Sequence, residues 1–382
     1  MKIPLAWLQL SHEKIRLLVA LAGIGFADLL MFMQLGFRDA LFDSAIVLNE
    51  SFRGEVFLLS PQSDTLVALE SFSQGRLYQA LSIKGVQAVS PVYLDLAIWK
   101  NPVTSETRAI QVIGFNPQKN ILDLPGIEDN LDEIKLEDVV IFDQRSRPEF
   151  GPIPELFQQG ENFTTEVASH QVRIGGLFTL GASFGADGNI VTSDLNFMRI
   201  FDGRQQGLID VGVISLEPRV NADAVAKVLR EKLPSDVRVF TREEFIAFEK
   251  KYWQTSTAIG FIFTLGTAMG FIVGTVIVYQ VLYTDVADHL PEYATLKAMG
   301  YTDWYLLGVV FQEAIILALL GFLPGIGIST VLYHLAAGAT NLPIRMTINR
   351  AVTVIIMTLV MCLVSGGIAV RKLRAADPAD IF

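Results

Sequence analysis

The stretch IGFIFTLGTAMGFIVGTVIVYQVLY, residues 259–283, carries no charged side chain. A bilayer's hydrocarbon core is roughly 30 Å thick, and a helix needs about 20 apolar residues to cross it. Residues 259–283 meet that requirement, and three further windows join them. Residues 17–36 hold one charge, Asp28; residues 304–335 hold one, Glu313; residues 351–370 hold none. The chain therefore reads as an α-helical membrane protein with four transmembrane helices. Its composition agrees, with 51% hydrophobic and only 18% charged residues. A soluble domain carries about 25% charged residues. The third window is too long for one straight span, so a break or tilt is expected near Leu323, Pro324 and Gly325, or an end that emerges from the lipid.

The formal net charge of −10 is concentrated in one block. Residues 37–252 hold 31 acidic and 21 basic side chains, and the remainder holds 9 of each. An acidic balance argues against nucleic acid as a partner. The first window is longer than a signal peptide's apolar run of about 7–15 residues, so it is read as a retained helix. Lys2, Lys14 and Arg16 flank the first span, and Arg371, Lys372 and Arg374 follow the last. By the positive-inside rule both termini are cytoplasmic and the block 37–252 is external. Arg345 and Arg350 fall outside and oppose the rule. Residues 1–16 read as an elbow lying in the membrane interface, with Trp7 at headgroup level.

The external block reads as mixed α/β. Strands are expected near residues 54–60, 86–99, 108–115, 208–216 and 237–240, and helices over 73–83 and after the cap Asn221. The halves 51–116 and 207–240 form a split βαβ porter-like sheet. Residues 117–206 read as an inserted subdomain with strands at 139–142, 171–180 and 189–192. Thr241 and Glu244 match a capping box. No breaker follows, so a continuous helix is expected from Arg242 into the second span. The flanks 37–50 and 241–258 would form a helical stalk. TM1 is then 17–36, TM2 259–283, TM3 304–335 and TM4 351–370. A cytoplasmic link covers 284–303, a short external loop 336–350 and a tail 371–382.

Catalytic and metal chemistry find no footing. The chain has one cysteine, Cys362, among apolar neighbours, and four scattered histidines at 12, 170, 289 and 334. No Gly-Lys pair exists, so no Walker loop can cradle a nucleotide, and any use of ATP must come from a partner. The sequence from Gly181 to Gly185 matches GxSxG, but turn residues follow where a nucleophile elbow needs a helix. The seven acidic residues of 123–138 lack Ca²⁺-loop spacing and read as a solvated face. Catalytic and metal residues are therefore none.

Three other sets stand out. Gly266, Gly270 and Gly274 repeat every four residues and share one helix face, against another helix of this chain or a second copy. Asp28 and Glu313 are intramembrane acids, costly unless they make polar contacts. In the link, Pro291 and Glu292 start a short helix and Gly300 stops it. Leu296 and Met299 are expected to share a face that docks on another protein.

Residues 291–300 resemble the coupling-helix pattern of the MacB/FtsX-type permeases, the type VII ABC transporters, with Ala294 where glycine is frequent. The order of one span, a large external domain and three spans is also theirs. Residues 311–314 resemble that family's third span. Residues 4–10, 17–23, 32–37, 181–194 and 233–239 are similar to the DevC branch. The resemblance implies a permease without its own ATPase, working as a homodimer in the inner membrane. Its partners would be an ABC ATPase subunit, a membrane-fusion (periplasmic adaptor) protein and a TolC-like outer-membrane duct. It implies no cofactor on this chain. Glu292, Leu296, Lys297, Met299 and Gly300 would dock the ATPase. The stalk would pass motion to the periplasmic domain and drive export of a lipid-like substrate, such as a heterocyst-type glycolipid. The alternative is an FtsX-like subunit that relays an ATPase cycle to a periplasmic partner without transport.

Overall fold

The computed structural model describes residues 5–160, 163–340 and 342–375. Lys2 and the tail beyond 375 lie outside them, as do the side chains of Arg371, Lys372 and Arg374. The chain divides into a helical unit, Met1–Ala40 with Ala258–Phe382, and an α/β unit, Leu41–Thr257.

In the helical unit, α1 covers Leu5–His12, α2 Lys14–Ser51, α8 Ala258–Asp288, α9 Leu290–Ala298, α10 Asp303–Thr340 and α11 Ile348–Ala375. Among the described residues, α2, α8, α10 and α11 are long and apolar enough to cross a membrane. Their contact faces are small or apolar and fully buried, as at Ala27, Ile24, Leu282, Ala314 and Met361. Their other faces leave Leu18, Phe26, Phe261, Ile272, Leu323, Val331 and Ile356 about half exposed or more. Water would penalise such a belt, and lipid would not. Cys362 is buried among these contacts, as its neighbours suggested.

Helix α10 does not break where the sequence suggested. Pro324 sits inside one uninterrupted helix. Glycines make the room: a Cβ at Gly25 of α2 would lie 3.3 Å from the Pro324 ring, and one at Gly325 only 2.7 Å from the Asp28 Cβ. Neighbouring helices that pack this closely let a membrane helix tolerate proline.

In the α/β unit, the strands are β1 Val56–Leu59, β2 Phe72–Ser73, β3 Val86–Lys100, β4 Thr107–Phe115, β5 Val139–Asp143, β6 Thr164–Val167, β7 His170–Phe178, β8 Asn189–Ser193, β9 Leu208–Ile209, β10 Val211–Leu216 and β11 Arg238–Thr241. The helices are α3 Gly75–Leu81, α4 Ile153–Gln158, α5 Asp194–Ile200, α6 Ala222–Lys232 and α7 Arg242–Thr255. Two βαβ units, β1-α3-β3 and β10-α6-β11, interleave as β11-β1-β10-β3, every neighbour antiparallel. This is the split βαβ arrangement. Strand β1 is apolar throughout because both faces are covered. Val56 and Leu58 face one cluster with Leu77 and Leu229, and Phe57 and Leu59 face another with Phe52 and Phe245.

Residues 117–206 extend the same sheet. Strand β4 pairs in parallel with β8, and the order continues β8-β5-β7-β6. The sheet then curls until Val167 of β6 meets Trp99 of β3. Inside the curl Trp99 packs on Phe142 and donates its indole N–H to the Phe150 carbonyl at 3.1 Å.

Both sequence-read caps are present. The Asn221 side chain accepts the Ala224 N–H at 3.1 Å. Thr241 and Glu244 complete a reciprocal capping box. Asn221→Ala should lower stability by about 1 kcal/mol, a drop of about 2–4 °C in melting temperature. An unchanged melting temperature would show that the cap contributes nothing. The expected continuous helix after Thr241 is interrupted: α7 ends at Thr255 and α8 starts at Ala258. The intervening residues are Ser256 and Thr257, and the Thr257 hydroxyl donates to the Trp253 carbonyl at 2.6 Å. Hydroxyl side chains that bond nearby backbone compete with the helix ladder.

Candidate functional site

Helix α9 follows α8 after His289, whose backbone N–H donates to the Asp285 carbonyl at 3.1 Å. Pro291 lies in the first turn, where its missing N–H costs nothing, and Glu292 stands at the positive end of the helix. The stop is built by Gly300, whose φ of +94° is the left-handed conformation. Its N–H reaches the Lys297 carbonyl at 3.0 Å, and the Tyr301 N–H reaches that of Leu296 at 3.1 Å. These two bonds are the Schellman pattern, and glycine adopts it without strain. A Cβ at Gly300 would meet no atom within 4 Å, so only the backbone angle resists substitution.

The two faces of α9 differ. Tyr293 and Ala294 are buried, and Leu296 packs on a cluster of Val286, Leu306, Val310 and Val370. Glu292, Thr295 and Met299 are exposed, Met299 by 63%. Lys297 is half-buried. The expectation that Leu296 and Met299 share an outward face is therefore corrected. Leu296 is drawn in by α8 and α10, and Met299 caps the helix on the solvent side. The sequence reading also missed Tyr301 and Trp304, 45% and 78% exposed, beside Met299 in the chain. Their signal was two aromatics flanking the Gly300 stop.

A charged cluster stands at the base of α9. Arg16 donates to Asp288 at 2.6 Å and pairs with Glu13 at 2.8 Å. His289 Nδ1 lies 3.6 Å from Asp285 Oδ1. Glu313 is fully buried, and its hydrogen-bond neighbour is the Asp285 carboxyl of α8. Asp28 is equally buried, but Thr358 donates its hydroxyl to Asp28 Oδ1 at 2.6 Å, joining α2 to α11. Arg350, which opposed the positive-inside count, has a structural partner in Asp39 at 2.9 Å.

The glycine triplet of α8 faces this chain's own helices. Cβ atoms at Gly266, Gly270 and Gly274 would meet the side chains of Gln34, Met31 and Met361 respectively. The GxSxG serine, Ser183, accepts the N–H groups of Gly185 and Ala186, and so closes a turn. Among the described residues no group of His, Cys, Asp and Glu could hold a metal ion.

Residues 264–378 match the family described as FtsX-like permease C-terminal. No curated protein matches the chain. Among solved structures, the periplasmic region of MacB from Actinobacillus actinomycetemcomitans is similar at 13% identity, covering 54% of this chain and 95% of that one, with a TM-score of 0.38. The extracellular domain of the noncanonic ABC-type transporter YknZ from Gram-positive bacteria is similar at 14% identity, covering 50% and 100%, with a TM-score of 0.33. The chain is thus a membrane protein whose C-terminal part carries an FtsX-like permease domain.

Proposed function

We propose that the chain is the permease subunit of an ATP-driven exporter and that a separate ATPase docks on the exposed face of α9. The match over residues 264–378, which encloses α9, carries this reading. The geometry supports it: the face built by Glu292, Thr295 and Met299 is free of the helical core, and the Gly300 stop fixes its direction. In this reading both termini are cytoplasmic, the membrane is the inner one, and the α/β unit is periplasmic.

The same reading assigns mechanotransmission to the helices. Helix α2 has 38 residues, about 57 Å of helix against a hydrocarbon core of roughly 30 Å. It is long enough to carry a displacement beyond the lipid as one element. The further assignments follow the resemblance: a homodimer, a membrane-fusion protein, a TolC-like duct and a lipid-like cargo such as a heterocyst-type glycolipid.

The test is a pull-down of the tagged chain from its own host in mild detergent, with ATP hydrolysis assayed on the eluate. An ATPase should co-elute with the wild-type chain. Met299→Asp combined with Glu292→Lys should reduce it at least tenfold without moving the melting temperature. Gly300→Val, a β-branched residue at positive φ, should leave insertion intact and uncouple hydrolysis from export. An ATPase retained in full by the double variant would remove α9 as its dock. A cell-wall enzyme co-eluting in place of a fusion protein would favour the signalling subunit.

A further inference from the structure

A cleft in the α/β unit has no role in the reading above. One wall is the loop between β1 and α3. It is closed on itself: the Ser63 hydroxyl accepts the Glu70 N–H at 2.9 Å, and Thr65 bridges to Ala68. Residues 66–71 of this loop, residues 94–96 of β3, Gln111, Arg204 and Asp210 enclose about 180 Å³. Pockets for whole drug-sized ligands run from roughly 300 to 1,000 Å³. This cleft is sized for one side chain or one headgroup.

The charges decide which group fits. Arg204 is occupied except at its Nε, which has no partner. It pairs with the buried Asp210, donates to Ser71 Oγ at 3.0 Å and lies over the Phe197 ring at 5.3 Å. Asp210 is likewise satisfied, accepting the Leu94 N–H at 2.9 Å and the Ser71 hydroxyl at 2.8 Å. Glu70 and Asp95 remain as exposed carboxylates; Asp95 accepts the Leu96 N–H at 2.8 Å and has a long 3.4 Å contact to Arg204. The lining therefore carries a surplus of negative charge.

Gln111 supplies the second, independent observation. It is 5% exposed and lines the cleft, yet its side-chain amide bonds to no described residue. The amide is open to the cleft, so a group bound there can hydrogen-bond to it. Leu66, Leu69, Leu94 and Leu96 line the same space and offer apolar cover for a methylene stem.

We propose that this cleft binds an organic cationic group, an ammonium or guanidinium on an aliphatic stem. Glu70 and Asp95 supply the charge, and the Gln111 carbonyl accepts an N–H. Such a group could be carried by a small amine or by a basic side chain of a protein partner. The site stands whether or not α9 docks an ATPase.

Calorimetric titration of the full chain in detergent tests it, with agmatine and n-butylamine as probes and butyrate and butanol as controls. The two cations should bind and the controls should not. Glu70→Gln with Asp95→Asn should weaken cation binding at least tenfold, and Gln111→Leu at least threefold, at unchanged melting temperature. Raising the salt to 1 M should weaken binding as well, because charges at an open rim are screened. A short glycine peptide with one central arginine separates the sources: tenfold tighter than agmatine means a protein side chain, and equal affinity means a small amine. Butyrate or butanol binding as well as the amines, or a double variant that binds amines like wild type, would overturn the proposal.

Discussion

Glu249→Ala should destabilise the α/β unit by about 3 kcal/mol and lower its melting temperature by about 6–12 °C. The carboxylate is 2% exposed and accepts three donors. The Leu66 N–H binds at 2.9 Å, the Trp253 indole N–H at 2.8 Å, and the Thr65 hydroxyl completes the set. Alanine leaves all three without an acceptor, each at about 1–3 kcal/mol, offset by no longer burying a carboxyl. The loop that walls the cleft is pinned to α7 through this one group. Burial pushes the Glu249 carboxyl above its ordinary value, and its three donors pull it part of the way back. The folded state therefore keeps this proton to higher pH than the unfolded chain does. Its stabilising effect is complete below the ordinary value of 4.5 and is lost as pH rises through the raised one. Glu249→Gln cannot titrate, so its stability relative to wild type should improve from pH 4 to pH 8. Denaturant unfolding followed by tryptophan fluorescence reads both effects. An alanine variant within 1 kcal/mol of wild type would mean that the loop holds without the clamp.

Glu249 also shows what the sequence made legible and what it did not. Phe245, Glu249 and Trp253 are spaced by four, so the acid stands within the apolar stripe of α7. That spacing marks Glu249 as inward-facing, but two of its three partners, Thr65 and Leu66, lie more than 180 residues away in the chain. Much of the local chemistry was readable: the four apolar windows, the Asn221 cap, the Thr241 box, and the strands of the two βαβ units. Each depends on neighbours within a few residues. Non-local pairing was not readable. Nothing in residues 139–193 announces that β8 adds in parallel to β4 or that the sheet curls until Val167 reaches Trp99. The docking helix divides in the same way. Pro291 and Gly300 fixed its limits, while the burial of Leu296 depends on α8 and α10, which only the fold brings together.

The glycine triplet of α8 yields the second large effect. Gly274→Val should cost about 3 kcal/mol of helical-unit stability, and Gly270→Ala less than 1. A Cβ at Gly274 would stand 2.2 Å from the Met361 sulfur and 2.7 Å from the Ala27 Cβ. Met361 is flexible, but Ala27 has no side chain to swing aside, so the backbones of α8 and α2 must separate. At Gly270 the nearest atom would be the Met31 Cγ at 3.3 Å, a contact that a small shift relieves. Gly266 would meet only the end of Gln34, which can rotate away, so Gly266→Ala should be tolerated. The graded order, Gly274 far above Gly266 and Gly270, belongs to packing within one chain. A seam between two copies predicts another pattern: Gly274→Val would dissociate the dimer and leave the monomer's unfolding unchanged. Circular dichroism of unfolding in SDS mixtures, run beside light scattering in mild detergent, measures both quantities on one sample. Loss of helical stability at constant mass places the triplet inside the protomer. Loss of mass at constant stability moves it to the interface, and the contacts of Gly274 with Ala27 and Met361 would then contribute nothing to holding the protomer together.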